Sequence, residues 1–393
     1  MLRYSGLHMN TSIEQRLRAS FLAKKSEVKR RATGALGHDY LVPAGPYCEQ
    51  WDWDAFFIGM SLANDIPSEA IYLKNWALNY LEYANKKNGF TPGLITPKGT
   101  DKRLNHMKPF LAQGMFFASR FLNDFSWIEP HITTLEKIVT FRERNGWHAQ
   151  YGLAAWTDSM ESGADNNVAA LDYPRFSVLA ADLNALLYRE YIAMSLIAKK
   201  LRKEKTARVF RQRAVTIKRN ILRWLWSPTA QSFFNRDTAT GELIQRHTYS
   251  NILPLWAGIA PRTQGRIMVK RYWLNANKMW SRFGLRTLAK DDPEYNNKNI
   301  IKPYSNWQGP VWPIANFLSM HALLNYGFQK EAAQIAERVM KLCWLDLQKS
   351  GGMHENYDAE TGKPLAAPNF VSWNLLVANM LEQTKKKINP FRL

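Results

Sequence analysis

The chain has 393 residues, of which 46% are hydrophobic and 22% charged, a composition that supports a packed core and excludes a disordered chain. Its 53 Lys and Arg against 33 Asp and Glu leave a formal charge of +20, which makes nucleic acid, acidic membranes and acidic small molecules the first partners to weigh. Two cysteines, Cys48 and Cys343, are too few for a disulfide framework and too far apart for a paired-Cys zinc site. The opening residues run directly into polar sequence, and no stretch reaches about 18 uncharged apolar residues, so a soluble, cytoplasmic protein is expected.

Apolar residues recur at helical spacing along most of the chain and strand-like alternation is scarce, which predicts an all-α protein. In chain order, an N-terminal helix is expected over about 11–32, its pattern starting near Ile13. Further helices are expected from near Trp53, Ser68, Pro109, Pro130, Ser177, Lys203, Asn251, Pro261, Pro310, Gln329 and Phe370, several of them opening at Pro or just after Ser or Asp. Phe210, Ala214, Ile217, Ile221 and Leu225 share one helical face. No Ser/Gly-rich or Pro-rich linker divides the chain, which reads as one domain over 1–393, with long irregular loops at about 88–108, 147–175 and 276–309. Long ordered loops in a compact domain tend to be functional.

Four segments carry the chemistry. Gln50-Trp51-Asp52-Trp53-Asp54 sets two carboxylates and two indoles at a helix entry; the acids lie two apart, so one serves the helix end while the other meets a ligand. Glu161-Ser162-Gly163-Ala164-Asp165-Asn166 is polar and bends at Gly163, which lets the backbone place Asp165 at a pocket wall. Asn306-Trp307-Gln308-Gly309-Pro310-Val311-Trp312-Pro313 offers amides and indoles but no proton chemistry, and reads as a binding element. His354-Glu355-Asn356-Tyr357 brings a second acid, 190 residues from Asp165. Indole faces beside hydrogen-bonding side chains suit a sugar, and two carboxyl groups are what glycosidic hydrolysis requires. His354 has no second His at ligand spacing, so it reads as structural, and no metal or other cofactor is expected.

In these segments and their order, the chain resembles glycoside hydrolase family 63, particularly its smaller bacterial members that hydrolyse mannosylglycerate or glucosylglycerate, and more distantly the trehalases. The resemblance covers about 40–380. It implies an (α/α)6 barrel and an inverting α-glycosidase, with Asp165 as general acid and Glu355 as general base. It also implies a pocket walled by Tyr47, Trp51, Trp53, Asp54, Lys108, Gln113, Gly163, Trp307, Gln308 and Trp312. Many relatives carry Arg where this sequence has Gln308. The expected partner is a small carbohydrate, an α-glucosyl or α-mannosyl compound whose aglycone is acidic in the glycerate case, with Tyr47, Gln113 and Trp307 as donors to that anion. A trehalase or other α-glucosidase on a neutral disaccharide, and a carbohydrate-binding barrel without turnover, stay open.

Between Lys199 and Arg223 stand eleven Lys or Arg and one acid, Glu204. The apolar residues at helical spacing in the same stretch require one side to be buried, so the charges are expected on the solvated outside of a barrel helix, without a specific nucleic-acid or membrane partner.

Overall fold

A computed structural model of the chain describes residues 5–100, 105–302 and 304–393, with side chains from residue 15 onward. Its helices are α1 (Ser5–Lys24), α2 (Asp52–Asp65), α3 (Ala70–Tyr83), α4 (Leu111–Leu122), α5 (Ile132–Val139), α6 (Ser159–Ser162), α7 (Ala181–Lys200), α8 (Glu204–Trp224), α9 (Leu253–Trp256), α10 (Arg262–Met268), α11 (Pro313–Asn325), α12 (Gln329–Ser350) and α13 (Val377–Lys386). Setting aside the single-turn α6, they alternate between two rings. The inner ring runs α2, α4, α7, α9, α11 and α13, and the 3-10 turn Ser372–Leu376 that leads into α13 closes it against α2. Outside lie α1, α3, α5, α8, α10 and α12, with α1 packed on α12 and α13. This is the (α/α)6 barrel.

Residue pattern decides which ring a helix joins. Every residue of α11 from Pro313 to Leu323 is buried, as is every residue of α2 from Asp52 to Ala63, because an inner helix is enclosed on all sides. By contrast α8 buries Ala207, Phe210, Ala214, Ile217 and Ile221 along one face. Lys205, Arg208, Arg211, Arg219 and Arg223 of the same helix are exposed, so this part of the basic stretch is the barrel's solvated outer side.

Boundaries differ from expectation where loops form local pairs. The N-terminal helix ends at Lys24 and not near 32, because Lys29–Arg30 pairs antiparallel with Tyr40–Leu41 and draws the chain out of helix. The 147–175 segment contains the strand pair Trp147–His148 and Leu153–Ala154 as well as α6. The helix expected from Pro310 starts instead at Pro313, and the one expected from Ser177 starts at Ala181 after the strand Val178–Leu179.

The two ends of the barrel are finished differently. At one end the entries to α2, α4, α11 and the 372–376 turn meet the long loops. At the other the final segment folds back and Phe391, 1% exposed, lies within 5.3–6.1 Å of the rings of Phe56, Phe57, Phe117 and Phe317. Truncating such a side chain to Ala typically costs about 3–5 kcal/mol. The base is therefore plugged and the loop end carries the site. No described helix is long and apolar enough to cross a membrane.

Candidate active site

Asp52 and Asp54 divide their work. Asp52 Oδ1 accepts from the Trp53 N–H at 2.7 Å and from Lys108 Nζ at 3.0 Å, while Oδ2 accepts from the Lys108 N–H at 2.6 Å. This buried pair ties the entry of α2 to the segment before α4. Asp54 accepts from Ser372 Oγ at 2.7 Å. Burial pushes its carboxyl up to about 7, against the pull of Ser372 and Lys108, and the neighbouring Asp52 charge adds to the rise.

Asp165 arrives on a loop that is braced from both sides. Asp158 caps α6 by accepting from the Glu161 N–H at 3.1 Å, and Gly163 ends it with φ +81°. Buried Glu161 accepts from the His106 N–H at 2.9 Å, the Thr157 N–H at 2.6 Å and Arg142 at 3.2 Å. Beyond the bend, Asp165 Oδ2 accepts from Ser305 through N–H at 3.0 Å and Oγ at 2.8 Å. Asn166 continues the seam: its Oδ1 accepts from the Trp307 N–H at 2.5 Å, its Nδ2 donates to Asn306 Oδ1 at 3.2 Å, and its carbonyl accepts from Gln308 Nε2 at 3.1 Å.

Glu355 follows the left-handed turn at Gly351 that ends α12. Its loop is fixed by the mutual Val311 and Tyr357 backbone bonds at 2.7 and 3.0 Å and by the Glu355 N–H to the Ala366 carbonyl at 3.1 Å. Asp346 on α12 holds the flanks, accepting from Tyr357 at 2.9 Å and meeting His354 Nδ1 at 2.8 Å. His354 is thus a loop brace, and among the described residues no group of three His, Cys, Asp or Glu is placed to hold a metal ion. Glu355 is buried, and its Oε2 has no hydrogen-bond partner among the described residues. Burial raises its carboxyl well above the usual range, and the charges of Asp54 and Asp165 raise it further. The Tyr47 phenol is likewise raised, first by burial and then by Glu355, Asp54, Asp165 and Glu49. The charges of Asp54, Asp165 and Glu355 all act on Tyr47, and those of Asp54 and Asp165 on Glu355, which puts the four side chains within electrostatic reach of one another.

The aromatic wall is a stack with more depth than open face. Trp307 lies 4.0 Å from Trp312 at 17° between planes, and Trp53 lies 6.0 Å from Trp307 and 5.1 Å from Trp373. The Trp312 N–H is donated to the Asn306 carbonyl at 2.8 Å and the Trp307 N–H to Ser305 Oγ at 3.3 Å, so neither indole N–H faces a ligand. Gly163 is where the acid loop presses on this wall: a Cβ there would stand 2.7 Å from Trp53 and 2.9 Å from Lys108. Trp51 lines a cavity of about 400 Å³ that it shares with Asp52, Asn105, Lys108, Met160 and Arg175.

Besides Lys108, whose ammonium group is held by Asp52, two glutamines expected to meet substrate are committed to the protein. Fully buried Gln113 donates to the Pro109 carbonyl at 2.6 Å and accepts from Arg189 Nε at 2.9 Å. Gln308 accepts from Asn296 Nδ2 at 2.9 Å while donating to Asn166, so this amide seals two loops together. Sequence reasoning missed Ser305, Ser372 and Arg142. Nothing in their local pattern separates a seryl or arginyl brace from an ordinary loop residue; Asn166 and Glu161 at least stood inside a recognised segment.

The mannosylglycerate hydrolase MGH1-like glycoside hydrolase domain matches residues 47–373. The mannosylglycerate hydrolase of Rubrobacter radiotolerans is 26% identical over 201 residues, 51% of this chain and 43% of that protein. That of Thermus thermophilus is 28% identical over 154 residues, 39% of this chain and 34% of that protein. The aligned stretches thus span less than half of these curated relatives. Among solved structures, a family 63 mannosylglycerate hydrolase of Thermus thermophilus in complex with Tris and D-glycerate superposes with a TM-score of 0.72 at 19% identity, covering 92% of this chain and 99% of that one. A neutral trehalase of Saccharomyces cerevisiae superposes at 0.66 and 14% identity over 96% and 82% of the two chains, a likeness of fold. With more than half of its length matched, the chain belongs to the MGH1-like glycoside hydrolase domain family of the mannosylglycerate hydrolases.

Proposed function

We propose that the protein is an inverting, exo-acting α-glycosidase of short α-glucosyl or α-mannosyl compounds, with mannosylglycerate and glucosylglycerate the first candidates. The observation that carries the reading is the convergence of Asp165, Glu355 and Asp54 around Tyr47, with Glu355 Oε2 buried and unpartnered among the described residues. In this mechanism Ser305 fixes Asp165 Oδ2, the other oxygen delivers a proton to the glycosidic oxygen, and ionised Glu355 takes a proton from water attacking the opposite face. Asp54 hydrogen-bonds sugar hydroxyls. Proton NMR of a panel of mannosylglycerate, glucosylglycerate, trehalose, kojibiose and nigerose tests it, and the first product released from an α-glycoside is expected to be the β-anomer. An α-anomer would replace inversion with retention, and no turnover across the panel would favour a carbohydrate-binding barrel.

A general base must be ionised, so the acidic limb of kcat/KM is expected above the ordinary carboxylate range, where burial and the neighbouring Asp54 charge put Glu355 while Asp165 holds its proton. Removing that charge in Asp54→Asn lowers the Glu355 pKa, and the limb moves to lower pH whatever happens to the height of the profile. A limb that stays in place detaches Asp54 from the base.

The acidic-aglycone form of the proposal needs a cation. Lys108 is paired with Asp52 and Arg142 with Glu161, whereas Arg175, on the rim of the cavity beyond Trp51, has no acidic partner among the described residues. Arg175→Ala is expected to lower kcat/KM on glucosylglycerate roughly tenfold to a hundredfold, the worth of one charged hydrogen bond, and to leave the uncharged glucosylglycerol nearly unaffected. Equal losses on both, or a clear preference of the parent for trehalose, favour the neutral-disaccharide reading.

A further inference from the structure

Opposite the catalytic mouth, α9, α11 and α13 end around a cavity of about 650 Å³ lined by Arg189, Trp256, Asn325, Gln329, Lys387 and Arg392, among others. Every charged side chain lining it is basic. Lys387 and Arg392 are exposed, but Arg189 is only 6% exposed and sits 4.1 Å over the Trp256 ring. A buried guanidinium ordinarily has a carboxylate partner, since an uncompensated charge away from water is costly. Arg189 makes no ion pair among the described residues and, of the carboxylates, feels only the more distant charge of Glu190. Its Nε donates to the Gln113 amide at 2.9 Å and one terminal nitrogen donates to the Phe391 carbonyl, both neutral acceptors. Glu190 beside it is occupied elsewhere, capping α4 through the N–H groups of Ala112 at 2.6 Å and Gln113 at 3.2 Å. The remaining terminal nitrogen, Nη1, makes no hydrogen bond among the described residues. Burial holds the guanidinium down to about 9.

These cations are not there to cap helices. The carbonyls at the end of α9 accept from Asn325 Nδ2 at 3.3 and 3.1 Å, the Tyr326 carbonyl accepts from Arg266 at 2.8 Å, and the Thr384 carbonyl accepts from Gln329 at 3.2 Å. We propose that this basal cavity is a binding site for a small phosphate-bearing anion, gripped by Arg189 from within and by Lys387 and Arg392 from the rim. A planar guanidinium with unused N–H groups, joined by a second Arg and a Lys, matches the several oxygens of a phosphate better than a single carboxylate.

The test is isothermal titration of the full chain with inorganic phosphate, with ionic strength held constant by chloride, and in parallel with glycerol phosphate. One saturable site is expected. Tighter binding of the ester identifies an organic phosphate as the source, and equal or weaker binding identifies free phosphate. Lys387→Ala combined with Arg392→Ala, both exposed, is expected to raise Kd about tenfold or more while the melting temperature without phosphate barely changes. Arg189→Gln is expected to abolish binding, and the surface pair keeps the test decisive if that variant folds poorly. Absence of a saturable site in the parent, or an unchanged Kd in the surface pair, overturns the proposal.

Discussion

Asp165→Asn and Glu355→Gln are each expected to lower turnover by about two to four orders of magnitude, the usual worth of a positioned proton donor or acceptor, without loss of the fold. An amide can keep the hydrogen bonds that Asp165 receives from Ser305, yet it neither delivers a proton to a leaving oxygen nor takes one from water. Stability separates catalytic loss from damage. The Glu355 carboxyl is raised in the folded state by burial and by the charges of Asp54 and Asp165, so the native form holds its proton longer than the unfolded chain does. Its contribution is then fully present below the ordinary carboxylate pKa and is lost as pH rises through the folded value. Glu355→Gln removes that penalty. Relative to the parent, its melting temperature should gain as pH rises from about 4, even as activity disappears. A variant that loses activity and melts lower at neutral pH would instead mark Glu355 as a structural group. Near-normal turnover in either variant would withdraw that residue from the reaction.

What could be read ahead of the structure follows from the range over which each signal acts. The α8 face is a local property: five apolar residues at helical spacing have one way to be buried together, and Phe210, Ala214, Ile217 and Ile221 are buried accordingly. Asp54, Asp165 and Glu355 were legible because each stands in a distinctive segment, although their meeting around Tyr47 depends on the closed ring of inner helices. Gln113 misled for the opposite reason. A glutamine four residues after Pro109 looks the same whether it faces a sugar or the barrel wall, and the deciding partner, Arg189, is 76 residues away. Trp307 stands in a stack of indoles with Trp53 and Trp312, but its N–H goes to Ser305, two residues back, a contact set by a loop shape that no periodicity describes. The N-terminal helix is expected over about 11–32 but runs from Ser5 to Lys24, and its late expected end reflects a pairing with Tyr40–Leu41 that lies beyond the reach of helical spacing.

Gly163 offers the sharpest test of whether the acid loop is held as tightly as its contacts imply. Its φ of +81° costs an alanine about 1–2 kcal/mol in backbone strain alone. The added methyl would also stand 2.7 Å from Trp53 and 2.9 Å from Lys108, and neither neighbour has room to yield. Trp53 is backed by Trp307 and Trp373, with Trp312 stacked behind Trp307 at 4.0 Å. Lys108 is anchored to Asp52 by its backbone N–H at 2.6 Å and its ammonium group at 3.0 Å. The loop must therefore move, carrying Asp165 two residues further on away from the sugar, and a misplacement of about 1 Å in a reacting group costs about a hundredfold. Gly163→Ala is accordingly expected to lower kcat about a hundredfold or more, with a smaller change in KM. Gly258→Ala supplies the control, since φ there is +69° and nothing lies within 4 Å of the added methyl. It meets comparable backbone strain without the collision, and should lose some thermal stability while keeping its turnover. If the two variants lose turnover alike, backbone strain and not the approach to Trp53 and Lys108 is the cause, and the acid loop is less tightly placed than its contacts imply.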